Sequence, residues 1–580
     1  MKHINKIIFA FAILVLSSCS DAFDLDINTN PNAVAPENAE LSFLYNQAQL
    51  GVEELMSDMF LETANASRMI AMTSFFYNEA YSPTTFDDIW RDVYSNLIPD
   101  LDAVIETATA TGLTIHSGSA KVMKAYALLT MVDLFGNVPF SEIGQGTEII
   151  APTSDDGASV YAAAIDLLND ALTDLEGSTA AAPAIDLYYN GSADSWAKLA
   201  NSLKLKAALN TKDAATISSV VSGGNFITDA ADDWQFSYGT NRDALNTADG
   251  SQNSRHPLYN NWYEANDGNY MSTYYMWLLD GSKSIEDPRQ RIYFYRQDGN
   301  LTNEDPNIWD CILTNEPFDL IPPGQFDHYL SIDPNLPFCI ASEDGYFGRD
   351  HGNGSGIPPD GPVRTTYGLY PAGGRWDDNS FAFTQNDGVD GAQGAGIQPI
   401  MMSSFVDFMR AEAALSLGTG EDARSLLESG IRKSISKVLS FMDLVSAADL
   451  GRVVGTDPAT GEPILASQQF GVATDDIESY VAEVLGNFDA AGTTAEQMNV
   501  VVTEYYIALF GNGLEAYNLY RRTAMPLNMP PLIDPQAAAQ AQFVRTHLYP
   551  AVHVNLNSNA TQKSTSDPVF WDTNAASMFR

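Results

Sequence analysis

KVMKAYALLTMVDLFGNVP, Lys121 to Pro139, decides how the rest of the chain is read. From Ala125 to Phe135 it is apolar on nearly every side, and a helix carries such a surface only when neighbours cover it from several directions. The stretch therefore predicts a central, buried helix. Gly136 offers the left-handed residue that closes a helix, and Pro139 bars a return to one.

Working outward, Leu44, Ala48, Val52, Leu55 and Met59 recur at helical spacing behind Pro36, which predicts one buried face. MTSFFYNEAYSPTT (72 to 85) reads as an aromatic loop, and Thr84 with Asp87 reads as a capping box. The helix it opens carries Trp90, Tyr94, Leu97, Leu101 and Val104, with Trp90 in the core and Pro99 a kink or break. Val160 to Leu172 and Trp196 to Leu209 continue the helical pattern. From about Asp213 to Pro399 Gly, Pro, Asn and Asp are frequent and aromatics dense, which predicts a long loop-rich excursion. Within it, Tyr270 to Leu279 and the stretch after Asp287-Pro288-Arg289 read as short ordered elements. Helix resumes at Ser403, where SSFVDFMRAEAALSLG and EDARSLLESGIRKSI flank Gly418-Thr419-Gly420 as a helical hairpin. VVTEYYIALFGNGLEAYNLYRRT predicts a last helix from about Val500 to Thr523, interrupted at Gly511 and Gly513, and Pro526 to Arg580 reads as loop. The paired helices suggest tetratricopeptide-like stacking, without a clean repeat of about 34 residues.

At the N-terminus Lys2 and Lys6 precede an apolar run, Ile7 to Leu16, and Leu16-Ser17-Ser18-Cys19 fits a lipobox. Residues 1–18 are thus expected to be an export signal too short to span a membrane, and Cys19 the lipidated first residue of the mature chain. An acyl anchor there would hold the protein on a membrane. Residues 20–37 read as a tether, and 38–580 as one domain: helical scaffold over about 38–210 and 400–523, loop-rich region over about 213–399. The formal charge is -44, and -46 once two lysines leave with residues 1–18. Such a chain repels nucleic acid and anionic lipid. The same average argues against sulfated or uronate-rich ligands unless a local basic patch overrules it. Cys311 and Cys339, 28 residues apart, are the pair available for a disulfide.

These features together resemble the SusD/RagB family of Bacteroidetes outer-membrane lipoproteins. The resemblance is carried by the lipobox, DLDINTNPNA (24 to 33), AYALLTMVDLFGNVPF (125 to 140) and Asp287-Pro288-Arg289. DFMRAEAAL (407 to 415) and GLEAYNLYRRT (513 to 523) add to it, and YFGRDHGNGSGIPPDG with YGLYPAGG is similar to the SusD-like branch. His553 in LYPAVHVN departs from the glutamate expected of the family. The resemblance implies a mostly α, single SusD-like domain with tetratricopeptide-like helical pairs and a loop-rich ligand-binding side. It also implies a partner, a SusC-like TonB-dependent transporter that the lipoprotein covers at the cell surface.

A glycan presents C–H faces and hydroxyl edges, so its binder needs exposed rings flanked by Asn, Asp or Arg. The candidates are Tyr77 and Tyr81 in the first aromatic loop, Trp262, Tyr263, Asn266 and Asp267 in NNWYEANDGNY, and Trp309 and Trp376 beside acids. Trp277 reads as core, and Arg68 as one half of a surface ion pair. Asp350 and His351 in GRDHGNGSG match neither a calcium loop, a P-loop nor a two-histidine zinc site, so a glycine-demanding structural loop is expected. No Gly-x-Ser-x-Gly elbow or His-Glu-x-x-His pair occurs. The expectation is a binding protein with no catalytic residues, metal or cofactor. Its ligand would be a neutral glucan of the laminarin type. Peptide capture, as the RagB side of the family implies, a surface glycosidase using an Asp/Glu pair, and a purely structural lid on the transporter are the alternatives.

Overall fold

The computed structural model describes residues 36–145, 148–242, 253–264, 269–299, 326–338, 341, 345–354, 364–382 and 388–580. Cys19, Asn266, Asp267, Trp309, Cys311 and Cys339 lie outside these residues. Among those described, eleven helices have ten or more residues. They are α1 (Pro36–Ala66), α2 (Ile98–Thr111), α3 (Thr114–Phe135), α4 (Gly157–Leu175), α5 (Ala193–Asn210), α6 (Ala214–Gly223), α7 (Ser403–Leu417), α8 (Ala423–Leu439), α9 (Thr474–Ala490), α10 (Thr494–Ala508) and α11 (Gly513–Thr523). Consecutive helices pack on one another in two runs, α2 to α6 and α7 to α10, while α1 lies against α2, α3 and α11. The fold is mostly helical.

The opening stretch forms the second half of α3. All of α3 is buried except Thr114, Lys121 and Lys124, because α1, α2, α4 and α5 surround it. Both lysines reach acids on flanking helices, Lys121 on Asp174 at 2.6 Å and Lys124 on Asp102. Gly136 ends the helix at φ 75° and ψ -107°, a backbone position closed to other residues but outside the left-handed helical well expected there.

Three buried polar hubs fix the helices relative to one another. On α3, the Asp133 carboxylate accepts from Tyr161, from Lys206 at 3.2 Å, from Asn518 at 2.8 Å and from the Trp571 indole at 3.0 Å. Arg521 adds a bond of 2.7 Å to the Asp133 carbonyl. The second hub joins α5, α7 and α11: Arg522 grips Glu412 through two bonds of 2.6 and 2.9 Å, with Asn210 and Glu515 beside it. In the third, Arg289 pairs with Asp287 at 2.6 Å and reaches Glu504 on α10 and Ser434 on α8. The second and third match a planar guanidinium to carboxylates and the first surrounds a carboxylate with donors, arrangements in which a buried charge is tolerated.

Four two-stranded antiparallel pairs occur among the described residues, and three staple the loop-rich stretch to the scaffold or to itself. Ile70–Ala71 pairs with Tyr270–Met271, Trp234–Ser237 with Ile397–Met401, and Phe294–Tyr295 with Thr366–Tyr367.

Several local expectations are sharpened or corrected. Val500 to Thr523 forms two helices, because Gly511 turns the chain at φ 97° with Pro371 and Pro399 packed where a side chain would stand. Thr84 and Asp87 make no capping box: Phe86 precedes the helix without a side-chain cap, and the Asp87 carboxylate accepts from Val552 N at 3.0 Å. Pro99 begins α2 after a π-turn, Val93–Leu97. Helix α9 has no counterpart in the sequence reading, since its buried face of Tyr480, Val481, Val484, Leu485 and Phe488 is embedded among acids. The tail is irregular apart from short helices at Pro535–Gln540 and Ala551–Leu556, yet it packs firmly. His553 in that tail lies against Trp90 with ring centroids 4.4 Å apart, and burial pushes its imidazole down to about 4.

Candidate functional site

A cavity of about 710 Å³ opens between the first aromatic loop, the segment at 328–332 and the C-terminal tail. A second hollow of about 600 Å³ shares Tyr77, Ala541, Gln542 and Ser566 with it, so the two are lobes of one cleft. The larger is of the size usual for small-molecule sites, roughly 300–1,000 Å³.

One wall is set by the end of α1. Arg68 leaves the helix at φ 64° and turns inward, where it gives hydrogen bonds to the carbonyls of Ala66 (2.6 Å) and Pro530 (3.0 Å). Its remaining bonds go to the Tyr77 hydroxyl (2.8 Å) and the main-chain oxygen of Arg580. It is fully buried and forms no surface ion pair, contrary to expectation. Tyr77, which opens the short helix Tyr77–Ala80, is thus pinned by its hydroxyl, and that hydroxyl also lies 3.1 Å from His351 Nε2. Burial, offset only in part by Arg68, raises the Tyr77 phenol above its ordinary value. Burial and then Arg68 hold His351 well below the usual imidazole range. Both groups are therefore neutral at physiological pH.

Pinning Tyr77 inward leaves its neighbours outside. Phe75 and Phe76 are 42% and 40% exposed, and Phe76 lines the smaller lobe with Asn78 and Glu79. The opposite wall comes from the tail. Asp534 caps Pro535–Gln540 by accepting from Gln536 N and Ala537 N at 2.9 and 2.7 Å, and the chain then runs on through Gln540, Gln542 and Phe543. Arg545 is anchored by its Nε to Asp572 at 2.8 Å and lines the larger lobe with Phe579 and Arg580. His328 joins that lobe, its Nε2 donating to the Leu532 carbonyl at 3.2 Å. Rings, amides, hydroxyls and guanidinium groups converge here, a set suited to holding a polyhydroxylated chain. The described lining carries one carboxylate, Glu79, whereas glycoside hydrolysis uses a pair.

Two family models match the chain. One, described as starch-binding and associating with the outer membrane, covers residues 31–307. The other, described as SusD and RagB outer-membrane lipoprotein, covers residues 393–579. The chain belongs to the SusD/RagB family. Solved SusD-like structures agree in fold: a SusD homologue from Bacteroides uniformis aligns at TM-score 0.62 and 17% identity, covering 92% of this chain and all of its own. A SusD/RagB family protein from Bacteroides thetaiotaomicron gives 0.60 at 17% identity, covering 94% and 100%. A chitin-binding SusD homologue from Flavobacterium johnsoniae gives 0.57 at 17% identity, covering 93% and 99%. No curated protein matches the sequence. SusD-like proteins bind nutrients rather than transform them and are outer-membrane lipoproteins; among the described residues no helix is long and apolar enough to cross a membrane.

Against this SusD-like frame the sequence candidates separate. Tyr77 reaches the cleft and lines both lobes. Tyr81 lies buried behind it, the two rings stacked at 6.3 Å. Trp262 is fully buried under the Arg364 guanidinium, 4.4 Å from the ring, and edge-on to Tyr367. Tyr263 stacks on Tyr259 at 4.7 Å and donates to the Tyr367 carbonyl. Neither presents a ring face to solvent. Trp376 is nearly buried and lines a separate hollow of about 330 Å³ with Arg375, Asp378 and Asp449. Trp277 is core, as expected. His351 and Asp350 belong to a turn with Gly352 at φ 81°. Among the described residues one group of acids, Glu54, Asp58 and Asp92, lies close enough to share a cation, outside the cleft. Burial, then repulsion from Glu54, pushes Asp58 there up to about 6.

Phe75, Phe76, Gln540, Gln542, Arg545 and Arg580 escape the sequence reading. The signal for Phe76 lies inside the quoted aromatic loop, beside Tyr77.

Proposed function

We propose that this SusD-like protein captures oligosaccharide in the two-lobed cleft beside Phe76 and passes it to a SusC-like TonB-dependent transporter. In this reading a lipid on Cys19 tethers the chain to the outer membrane. The observation that carries it is the exposed ring of Phe76 at the rim of a cleft walled by Gln540, Gln542, Ser564 and Ser566. A sugar stacks its C–H face on such a ring while amides and hydroxyls take its hydroxyl edge. Tyr77 and the chitin-binding relatives support the same reading. A neutral laminarin-type glucan is what the average charge favours.

Affinity electrophoresis through gels containing single polysaccharides tests it. Retardation of the parent by at least one glycan, lost on Phe76→Ala, is the expected result. Retardation by none, with peptides retained in native mass spectrometry, would replace glycan capture by peptide capture.

A further inference from the structure

The larger lobe departs from the chain in charge. Asp and Glu make up 74 of 580 residues, about one in eight, so a lining of that size should hold two or so; among the described residues it holds none. Arg545, Arg580 and His328 are there instead. Among the described lining the one acid, Glu79, belongs only to the outer lobe.

The cations are not all consumed by internal partners. Arg545 is ion-paired with the Asp572 carboxylate through Nε at 2.8 Å and Nη2 at 2.7 Å and also gives Nη2 to the Asn574 carbonyl, so its charge is matched, but none of these bonds uses Nη1. The Arg580 side chain rests on the Leu527 carbonyl and makes no ion pair with an acidic side chain. Its main-chain oxygen is taken from beneath by Arg68, so whatever charge that group carries is already matched. Arg68 itself has no acidic side chain among its partners, and His351 feels it, being driven further below the imidazole range by the guanidinium after burial.

Resting on the glycan-capture reading above, we infer that the larger lobe receives an acidic sugar, its carboxylate or sulfate held by Arg580 and Arg545. The Nε/Nη2 fork of Arg580 matches both oxyanions in shape and charge, and Arg545 adds a donor through Nη1. The aromatic floor of Phe543 and Phe579 lies beside these groups for the ring that bears the anion. The strongly acidic remainder of the surface repels a polyanion at long range, so recognition is confined to this lobe.

The test is isothermal titration of the purified chain with three sets of oligosaccharides of matched length: oligouronates, sulfated galactan oligosaccharides and laminari-oligosaccharides. The inference expects one of the anionic sets to bind at least roughly tenfold more tightly than the neutral set, the two anionic arms naming the group. It expects Arg580→Gln to remove that advantage by roughly tenfold, as loss of a charge-assisted bond does, with an unchanged melting temperature. Neutral glucans binding as tightly as the charged sets, sensitive to Phe76→Ala and indifferent to Arg580→Gln, would overturn the acidic-sugar inference and leave glycan capture standing. Binding of none of the three, with peptides bound in their place, would overturn both.

Discussion

Buried arginines are handled in two ways in this molecule. In the scaffold, Arg289 and Arg522 face acidic side chains, Asp287 and Glu504 for one and Glu412 and Glu515 for the other. Below the cleft, Arg68 faces two carbonyls, a phenol and a main-chain oxygen of Arg580. The closed pairs of Arg289 and Arg522 lock helices together, whereas Arg545 at the cleft is paired with Asp572 yet makes no bond through Nη1 among the described residues. The open arrangement around Arg68 holds a loop in place with no acidic side chain against the guanidinium. The contrast separates the part of the chain that builds from the part that binds.

The largest effect should come from breaking a closed pair. Glu412→Ala leaves Arg522 with Glu515 at 3.4 Å as its remaining acid, and stranding a buried charge costs about 3 kcal/mol or more. Urea denaturation should show the lower midpoint, with ligand affinity of the folded protein unchanged. On the other side of the comparison, Phe76→Ala should cost about 2 kcal/mol of binding, roughly thirtyfold, and shift stability by no more than about 0.5 kcal/mol. Titration calorimetry and denaturation on the same sample would separate the two.

That separation also explains what could be read from the sequence. The scaffold is local: helix α3 announces itself by apolar residues on every side, and the Asp287-Pro288-Arg289, DFMRAEAAL and GLEAYNLYRRT motifs are the segments that supply the buried hubs. The cleft is not local. Its walls come from residues 76–79, 328–332 and 531–580, which no spacing rule connects. Trp262 looks like a surface ring because Asn and Asp surround it in sequence, but Arg364, remote in sequence, covers it. Tyr77 and Phe76 are equally aromatic; the Arg68 bond to one hydroxyl decides which ring turns in.

Two smaller effects probe the support of the open region. Glu62 lies on α1 behind Tyr81, and burial raises its carboxyl to about 7. A raised folded value means the charged form is disfavoured, so stability is full below the ordinary carboxylate range and declines as pH rises through about 7. Glu62→Gln should therefore raise stability by about 1–2 kcal/mol at pH 8, less than a full shift because the side chain is partly exposed, and leave it unchanged near pH 4. Thermal unfolding across that range would check the sign. Tyr77→Phe removes one of the hydrogen bonds to Arg68 and should cost about 1 kcal/mol in stability, with a smaller loss of affinity than Phe76→Ala.

The central claim, that ligand is held between the Phe76 loop and the tail, is tested most directly by hydrogen–deuterium exchange with and without a bound oligosaccharide. Protection concentrated in residues 73–79, 540–545 and 564–566 is the predicted result. Protection confined to residues 369–378 and 444–449, around Trp376, would contradict it.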